Sequence, residues 1–180
     1  MFLPTLINFP VLTTERLVLR HLTNEDALPI HSLRSNEEVN KYLDRAPSTD
    51  IADALAFIRN IGKYINSQAS VYWAITLKND NTLIGTVCFW NFDLENETIE
   101  LGYELLPAFQ GKGIMAEAVR KVILYGFNEM KAATITASPS ADNAASKILL
   151  EKAGFIFNSH DSINNMLTYT LNKKGLTQCV

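Results

Sequence analysis

Ten residues, Leu106-Pro107-Ala108-Phe109-Gln110-Gly111-Lys112-Gly113-Ile114-Met115, carry the densest chemical signal in the chain. An alternating strand runs into a glycine-bearing turn, and the turn opens an amphipathic helix. The first N–H groups of a helix have no partner within it, and the helix dipole adds positive potential there. Glycines let a bulky anion approach the backbone without a side chain in the way. Such a turn suits a diphosphate; a tight connection whose glycines serve only the bend is the competing reading. Two other phosphate-binding patterns are excluded. A Walker loop needs G-x-x-x-x-G-K-[ST], whereas Lys112 is followed by Gly113. A dinucleotide fingerprint needs glycine where Ala116 stands, within a parallel unit.

Just before the loop stand three carboxylates, Glu97, Glu100 and Glu104. Period two places Glu100, Gly102 and Glu104 on one strand face, opposite Ile99, Leu101, Tyr103 and Leu105. A bulge at Gly102 would re-aim Glu104 relative to Glu100. Glu100 is the favoured proton acceptor; the bland alternative is three solvated strand carboxylates. The histidines offer less. Four residues beyond His21, His31 and His160 lie Glu25, Ser35 and Asn164, so no His-x-x-x-Asp spacing occurs. Asp161-Ser162 beside His160 is no nucleophile elbow. Cys88, within Thr86-Val87-Cys88-Phe89-Trp90, reads as a small buried hydrophobe and Cys179 as a tail residue. Neither belongs to a metal or redox motif, and no metal site is expected. Trp73, Phe89, Trp90 and Phe92 read as core and cleft wall.

The elements that must hold these groups follow from periodicity. Thr14 to Arg20 ends in a strand with Leu17 and Leu19 on one face. Thr23 and Asp26 form a capping box opening a helix toward Arg34, with a kink or late start at Pro29. Ser48-Thr49-Asp50 caps a second helix carrying Ile51, Ala54, Leu55, Ile58, Ile61 and Ile65. Val71–Leu77 and Leu83–Trp90 make a hairpin, and Glu97–Leu105 a third antiparallel strand. A long helix spans about 113 to 130, burying Met115, Val119, Val122, Ile123 and Gly126, with Glu117 and Lys121 paired outside. A short strand covers 133–137. Asp142 caps a helix to Lys152, and Gly154 is its left-handed stop. Strands at 155–158 and 166–171 close the chain. The expected class is a mixed α/β sheet with helices on its faces.

Composition bounds the function. The 180 residues amount to one domain, with a core about 13 to 172. Sixteen Lys and Arg against 19 Asp and Glu give a net charge of −3, which argues against nucleic acid as a partner. No apolar run approaches a membrane span, the N-terminus does not read as a signal peptide, and a cytoplasmic setting is the default. The sequence does not fix the oligomeric state; a dimer is compatible with it.

Gln110-x-x-Gly113, between an alternating strand and an amphipathic helix, resembles the acetyl-CoA-binding segment of the GCN5-related N-acetyltransferases (GNAT). Asn143-Ala144-Ala145-Ser146, continuing to Glu151-Lys152-Ala153-Gly154-Phe155, is similar to the family's second signature. Thr14-Glu15-Arg16-Leu17-Val18-Leu19-Arg20, with Asp26 following, resembles the RimJ/RimL-like branch of ribosomal-protein N-terminal acetyltransferases. The resemblance implies antiparallel N-terminal strands, a central parallel strand pair that splays, and acetyl-CoA as acetyl donor. It implies that the main chain of Leu105 and Leu106 pairs with the pantetheine arm. The N–H groups across Gln110, Gly111, Lys112, Gly113, Ile114 and Met115 would hold the pyrophosphate. Asn143 would bond the pantetheine, and Ser146, or alternatively Tyr103, would give a proton to the leaving thiolate. Where the family commonly has a small residue, this chain has Met115; the Rim-like branch often carries a larger one. The expected reaction is acetylation of a primary amine, foremost a protein N-terminus. The alternatives are a polyamine, amino acid or antibiotic amine, and a CoA-binding sensor without turnover.

Overall fold

The computed structural model describes residues 9–173. Within them the chain runs β1 (Leu12–Thr13), β2 (Leu17–His21), α1 (Ala27–Ser35), α2 (Glu37–Asn40), α3 (Ile51–Asn66) and β3 (Val71–Leu77). It continues through β4 (Asp80–Asp93), β5 (Thr98–Leu105), α4 (Ile114–Asn128), β6 (Thr134–Ala137), α5 (Ala144–Lys152), β7 (Ile156–Asp161) and β8 (Met166–Asn172). The strands form one sheet in the order β1-β2-β3-β4-β5-β6-β8-β7. Its neighbours are antiparallel except β5 and β6, which run parallel. The mixed sheet and the parallel central pair are as the sequence implied. Cys179 lies outside the described residues.

Each face of the sheet buries its own core. Leu17, Leu19, Trp73, Phe89, Ile99 and Ile135 pack with the inner stripe of α4, Val119, Val122, Ile123 and Phe127 among them. On the opposite face Leu22, Tyr72, Ala74 and Leu83 meet Ile30 and Leu33 of α1 and Ala54, Ile58 and Ile61 of α3. We call these the α4 face and the α3 face. The alternation of β5 therefore sorts its side chains. Ile99 and Leu101 go to the α4 core, while Gly102 lies against Cys88 of the α3 face.

Local chemistry explains the boundaries. The capping box at Thr23 forms, with the Thr23 N–H donating to Asp26 Oδ2 at 2.8 Å. A 3-10 turn over Asn24–Asp26 delays α1 to Ala27, so Pro29 falls in the first turn, where its missing N–H costs nothing. Asp50 caps α3 by accepting from the Asp53 N–H at 3.0 Å. Gly154, at φ 92°, ends α5 as expected.

Three expectations need correction. No bulge occurs at Gly102; the irregularity in the β4–β5 ladder lies between Trp90 and Asp93. Glu117 does not pair with Lys121 but reaches Arg16 at 2.6 Å. The fold also contains β1 and α2, two and four residues long, too short to show a period.

Gly126 lets α4 approach the sheet. A Cβ there would stand 3.1 Å from Ile99 Cδ1 and Phe89 Cζ, and 3.2 Å from Ile135 Cδ1. Gly126→Val should therefore lower stability by about 2 kcal/mol through overpacking. Urea unfolding should show this as a lower midpoint at the same slope.

Candidate active site

β5 and β6 pair only over Thr98–Glu100 and Thr134–Thr136. β6 stops at Ala137 while β5 continues to Leu105, so the second half of β5 leaves its outer edge facing a gap. The Leu106 N–H donates to Ile84 O at 3.0 Å, which fixes the sense of the ladder. By alternation the main-chain groups of Tyr103 and Leu105, beyond the last pairing of β5 with β6, point into the gap. This corrects the expectation for Leu106. Its N–H belongs to the sheet, and its carbonyl accepts from the Phe109 N–H at 2.9 Å. The strand-like donors and acceptors open to a ligand lie on the odd-numbered residues.

At the head of the gap the chain makes a 3-10 turn over Pro107–Phe109 and enters α4 through two left-handed glycines, Gly111 at φ 72° and Gly113 at φ 73°. The first intrahelical bond runs from the Glu117 N–H to Gly113 O at 3.1 Å. The N–H groups of Ile114, Met115 and Ala116 therefore lack helical partners. The Gln110 N–H is already bonded to Pro107 O at 3.1 Å, which narrows the anion cradle to Gly111 through Ala116. The Gln110 side chain instead donates from Nε2 to Leu105 O at 2.9 Å, folding the loop onto the strand. Lys112 turns its ammonium back to Ala108 O at 2.8 Å. Met115 buries its long side chain in the α4 core, so its size does not block the loop.

A residue that the site reading missed braces this loop. Arg16 donates from Nε to Glu117 Oε2 at 2.6 Å and from Nη1 to Lys112 O at 3.0 Å. The Glu117 carboxylate also accepts from Thr14 Oγ1 at 2.5 Å and from the Arg16 N–H at 2.9 Å. Burial pushes its pKa up, but the bonds from Thr14 and Arg16 outweigh that and leave it below the ordinary carboxylate value. The ion pair neutralises an acid that would otherwise stand beside any bound anion. The signal for Arg16 was the Thr14–Arg20 segment itself, whose partner lies 101 residues away.

On the α4 face, α5 begins at the gap. Asn143, not Asp142 as the sequence suggested, caps it: its Oδ1 accepts from the Ser146 N–H at 3.0 Å, which leaves its amide NH2 as the group to offer a ligand. Ser146 Oγ and Tyr103 OH lie 2.6 Å apart. The structure thus joins the two alternative proton donors into one couple. Burial pushes the Tyr103 hydroxyl up to about 12, against a smaller lowering by its bond to Ser146. It holds its proton at neutral pH.

The three carboxylates separate, and only Glu100 and Glu104 stand on the α3 face of β5. Glu97 is exposed, on a turn at φ 51°. Arg45 grips Glu104 through both oxygens, at 2.7 and 2.6 Å, which occupies it as a proton acceptor. Glu100, the last β5 residue paired with β6, is half-buried and accepts only from Asn91 Nδ2 at 3.1 Å among the described residues. The gap therefore has one carboxylate on one face and a hydroxyl couple on the other. Among the described residues no cluster of three or more His, Cys, Asp or Glu could hold a metal, and no helix is long and apolar enough to cross a membrane.

An unpaired strand edge leads to an uncapped helix start, with a carboxylate on one face of the strand and a hydroxyl couple on the other, an arrangement that could receive an extended, diphosphate-bearing donor. The family comparison agrees: residues 16–156 match the acetyltransferase (GNAT) domain. The chain is 34% identical over 147 residues to the uncharacterized N-acetyltransferase YoaA of Bacillus subtilis (strain 168), covering 82% of this chain and 83% of that one. This protein belongs to the GNAT family and is an acetyl-CoA-dependent N-acetyltransferase. Among solved structures it resembles spermidine N-acetyltransferase from Vibrio cholerae in complex with CoA and spermine, at TM-score 0.78 and 22% identity, over 91% of this chain and 99% of that one. It also resembles ribosomal-protein-S5-alanine acetyltransferase from Vibrio fischeri, at TM-score 0.78 and 20% identity, over 92% and 98%. Their names carry different amines on one fold, so the fold does not choose the acceptor.

Gly113→Glu should abolish measurable CoA binding in calorimetry, because it strains a left-handed residue and sets a carboxylate in the cradle. Arg16→Ala, which frees the Glu117 charge, should weaken CoA binding about tenfold. Wild-type affinity in both would remove the loop from the site.

Proposed function

We propose that this chain acetylates an exposed primary amine, foremost the α-amine of a polypeptide N-terminus, and that it works in the cytoplasm. The observation that carries this reading is the split of β5 from β6 with Glu100 on one face and the Tyr103–Ser146 couple on the other. When bound, acetyl-CoA supplies an activated acetyl group: the amine nitrogen forms a new N–C bond as the thioester C–S bond breaks.

In this reading the chain's own residues divide the work. Gly111 to Ala116 hold the diphosphate through main-chain N–H groups. The odd residues of β5 and the Asn143 amide align the pantetheine arm as an added strand would. Glu100 takes the proton that the attacking nitrogen must lose, directly or through one water. Tyr103, kept protonated by burial, returns a proton to the departing sulfur, and Ser146 orients it. An α-amine, titrating near ~8, loses its proton more readily than a lysine near ~10.4, which favours a chain terminus at neutral pH.

Glu100→Gln should lower kcat about 100-fold while sparing CoA affinity. A full-speed variant would remove Glu100 from the mechanism. The pH profile has a definite shape. Rate should rise as pH passes the acceptor's own pKa near ~8. It should show no alkaline fall before about pH 10, because the Tyr103 proton is held to about 12. A downturn at pH 8 to 9 that Tyr103→Phe abolishes would contradict that assignment. A panel of Ala- and Ser-initiated peptides and free small amines, read by thiol release, tests the acceptor class.

A further inference from the structure

We propose that the amine taken by this site carries an aromatic ring with a hydrogen-bonding tip, the ring lying on Trp90 and the tip meeting the Ser70 hydroxyl. This rests on the amine-acetylating reading and specifies its acceptor. A cleft of about 920 Å³ opens between the C-terminal half of α3 and strands β3 and β4. Ile61, Tyr64, Tyr72, Trp90, Phe92 and Leu94 give it an aromatic and apolar wall, and no lining residue is charged. That size suits a small molecule or the first residues of a peptide.

Ser70 lines the same cleft, and only 6% of it is exposed. Among the described residues its Oγ is the one buried side-chain N or O without a hydrogen-bond partner. An orphaned buried hydroxyl is a standing cost that a polar ligand atom relieves. Its position supplies the geometry. The register pairs Val71 with Phe89 and Trp90 with Glu100, and extending it by one residue sets Ser70 beside Trp90. Ser70, Trp90 and Glu100 therefore form a row across three strands on the α3 face, with the outer two about 10 Å apart at the main chain. A single ring with a polar group at either end has a length of that order.

Between them Trp90 is 49% exposed, a flat platform on which a ring can stack. Gly102 leaves Trp90 room beside β5; a Cβ there would stand 3.0 Å from Cys88 Sγ and 3.6 Å from Trp90 Nε1. Charge argues against a polycation. Glu104 is already held by Arg45, and burial, with the field of Arg45 as a smaller cause, lowers the pKa of neighbouring Arg34. A second ammonium would enter an apolar cleft with no free counter-charge on its wall.

A free phenolic amine and a tyrosine-initiated peptide share this chemistry. Steady-state kinetics should compare tyramine, phenethylamine, Tyr- and Ala-initiated peptides and spermidine in the wild type, Ser70→Ala and Trp90→Ala. We expect the phenolic acceptors to have the highest kcat/KM, and whichever of tyramine and the Tyr peptide leads identifies the source. Ser70→Ala should raise KM for tyramine relative to phenethylamine about fivefold, the worth of one neutral hydrogen bond. Trp90→Ala should raise KM for both. Preference for spermidine or the Ala peptide, or an equal effect of Ser70→Ala on both arylalkylamines, overturns the inference and leaves amine acetylation standing. If no amine turns over, the proposed function falls. Tyramine binding by calorimetry without acetyl-CoA, weakened in Ser70→Ala, then still decides the cleft. A thermal melt of Ser70→Ala at the wild-type midpoint or above separates binding from folding.

Discussion

A main-chain N–H or C=O that secondary structure leaves unpaired needs water or a ligand as its partner, and in this fold such groups gather around one gap. β6 ends at Ala137, so β5 loses its neighbour beyond Glu100. α4 begins at Gly113, so its first turn has donors without acceptors. Both sets face the same space. The chain makes enough bonds there to hold the gap rigid, with Gln110 tied to Leu105 and Arg16 to Lys112, but not enough to close it. The deficit that a soluble sheet normally avoids is, on the proposed reading, what an extended amide-bearing ligand completes.

The Arg16–Glu117 pair shows how conflicting demands on one helix end are reconciled. An acid in the first turn suits the dipole of α4, yet it would repel an anion at the same place. Binding Glu117 through Thr14, the Arg16 main chain and the Arg16 guanidinium turns the acid into a brace, with its charge matched by the arginine. The second arginine of the same segment acts elsewhere. Arg20 donates to both oxygens of Asp26 at 2.8 Å and secures the entry to α1. Arg16 and Arg20 thus anchor the two layers on opposite faces of β2, one to α4 and one to α1.

Contiguous chemistry was legible before any coordinates. The alternation through Ile99, Leu101 and Leu105, the glycines at 111 and 113, and the left-handed stop at Gly154 each depend on neighbours within a few residues. Expectations that needed a partner from afar went wrong or unseen. Glu117 lies 101 residues from Arg16, Glu104 lies 59 from Arg45, and Tyr103 lies 43 from Ser146. Nothing local distinguishes Glu100 from Glu104; only the tertiary placement of Arg45 does. Leu106 was misassigned for a related reason, since the side-chain period tells which face a residue takes but not which edge its main chain serves. That edge was set by one bond, from the Leu106 N–H to Ile84 O.

The same contrast explains why donor chemistry is easier to read than acceptor chemistry. A diphosphate and a pantetheine arm are recognised largely by backbone, so their requirements appear as glycines and strand endings in an unbroken stretch of chain. On the proposed reading the acceptor is recognised by side chains standing on the α3 face, brought there by α1, α3, β3 and β4 from widely separated segments. Each can be exchanged without disturbing the backbone that holds the donor. Solved structures whose names specify a ribosomal protein and spermidine can therefore each match this chain's fold at TM-score 0.78. The orphaned Ser70 hydroxyl, the exposed Trp90 and the uncharged wall between them are features of this chain's α3 face. On the proposed reading they carry information about its amine that the fold itself does not.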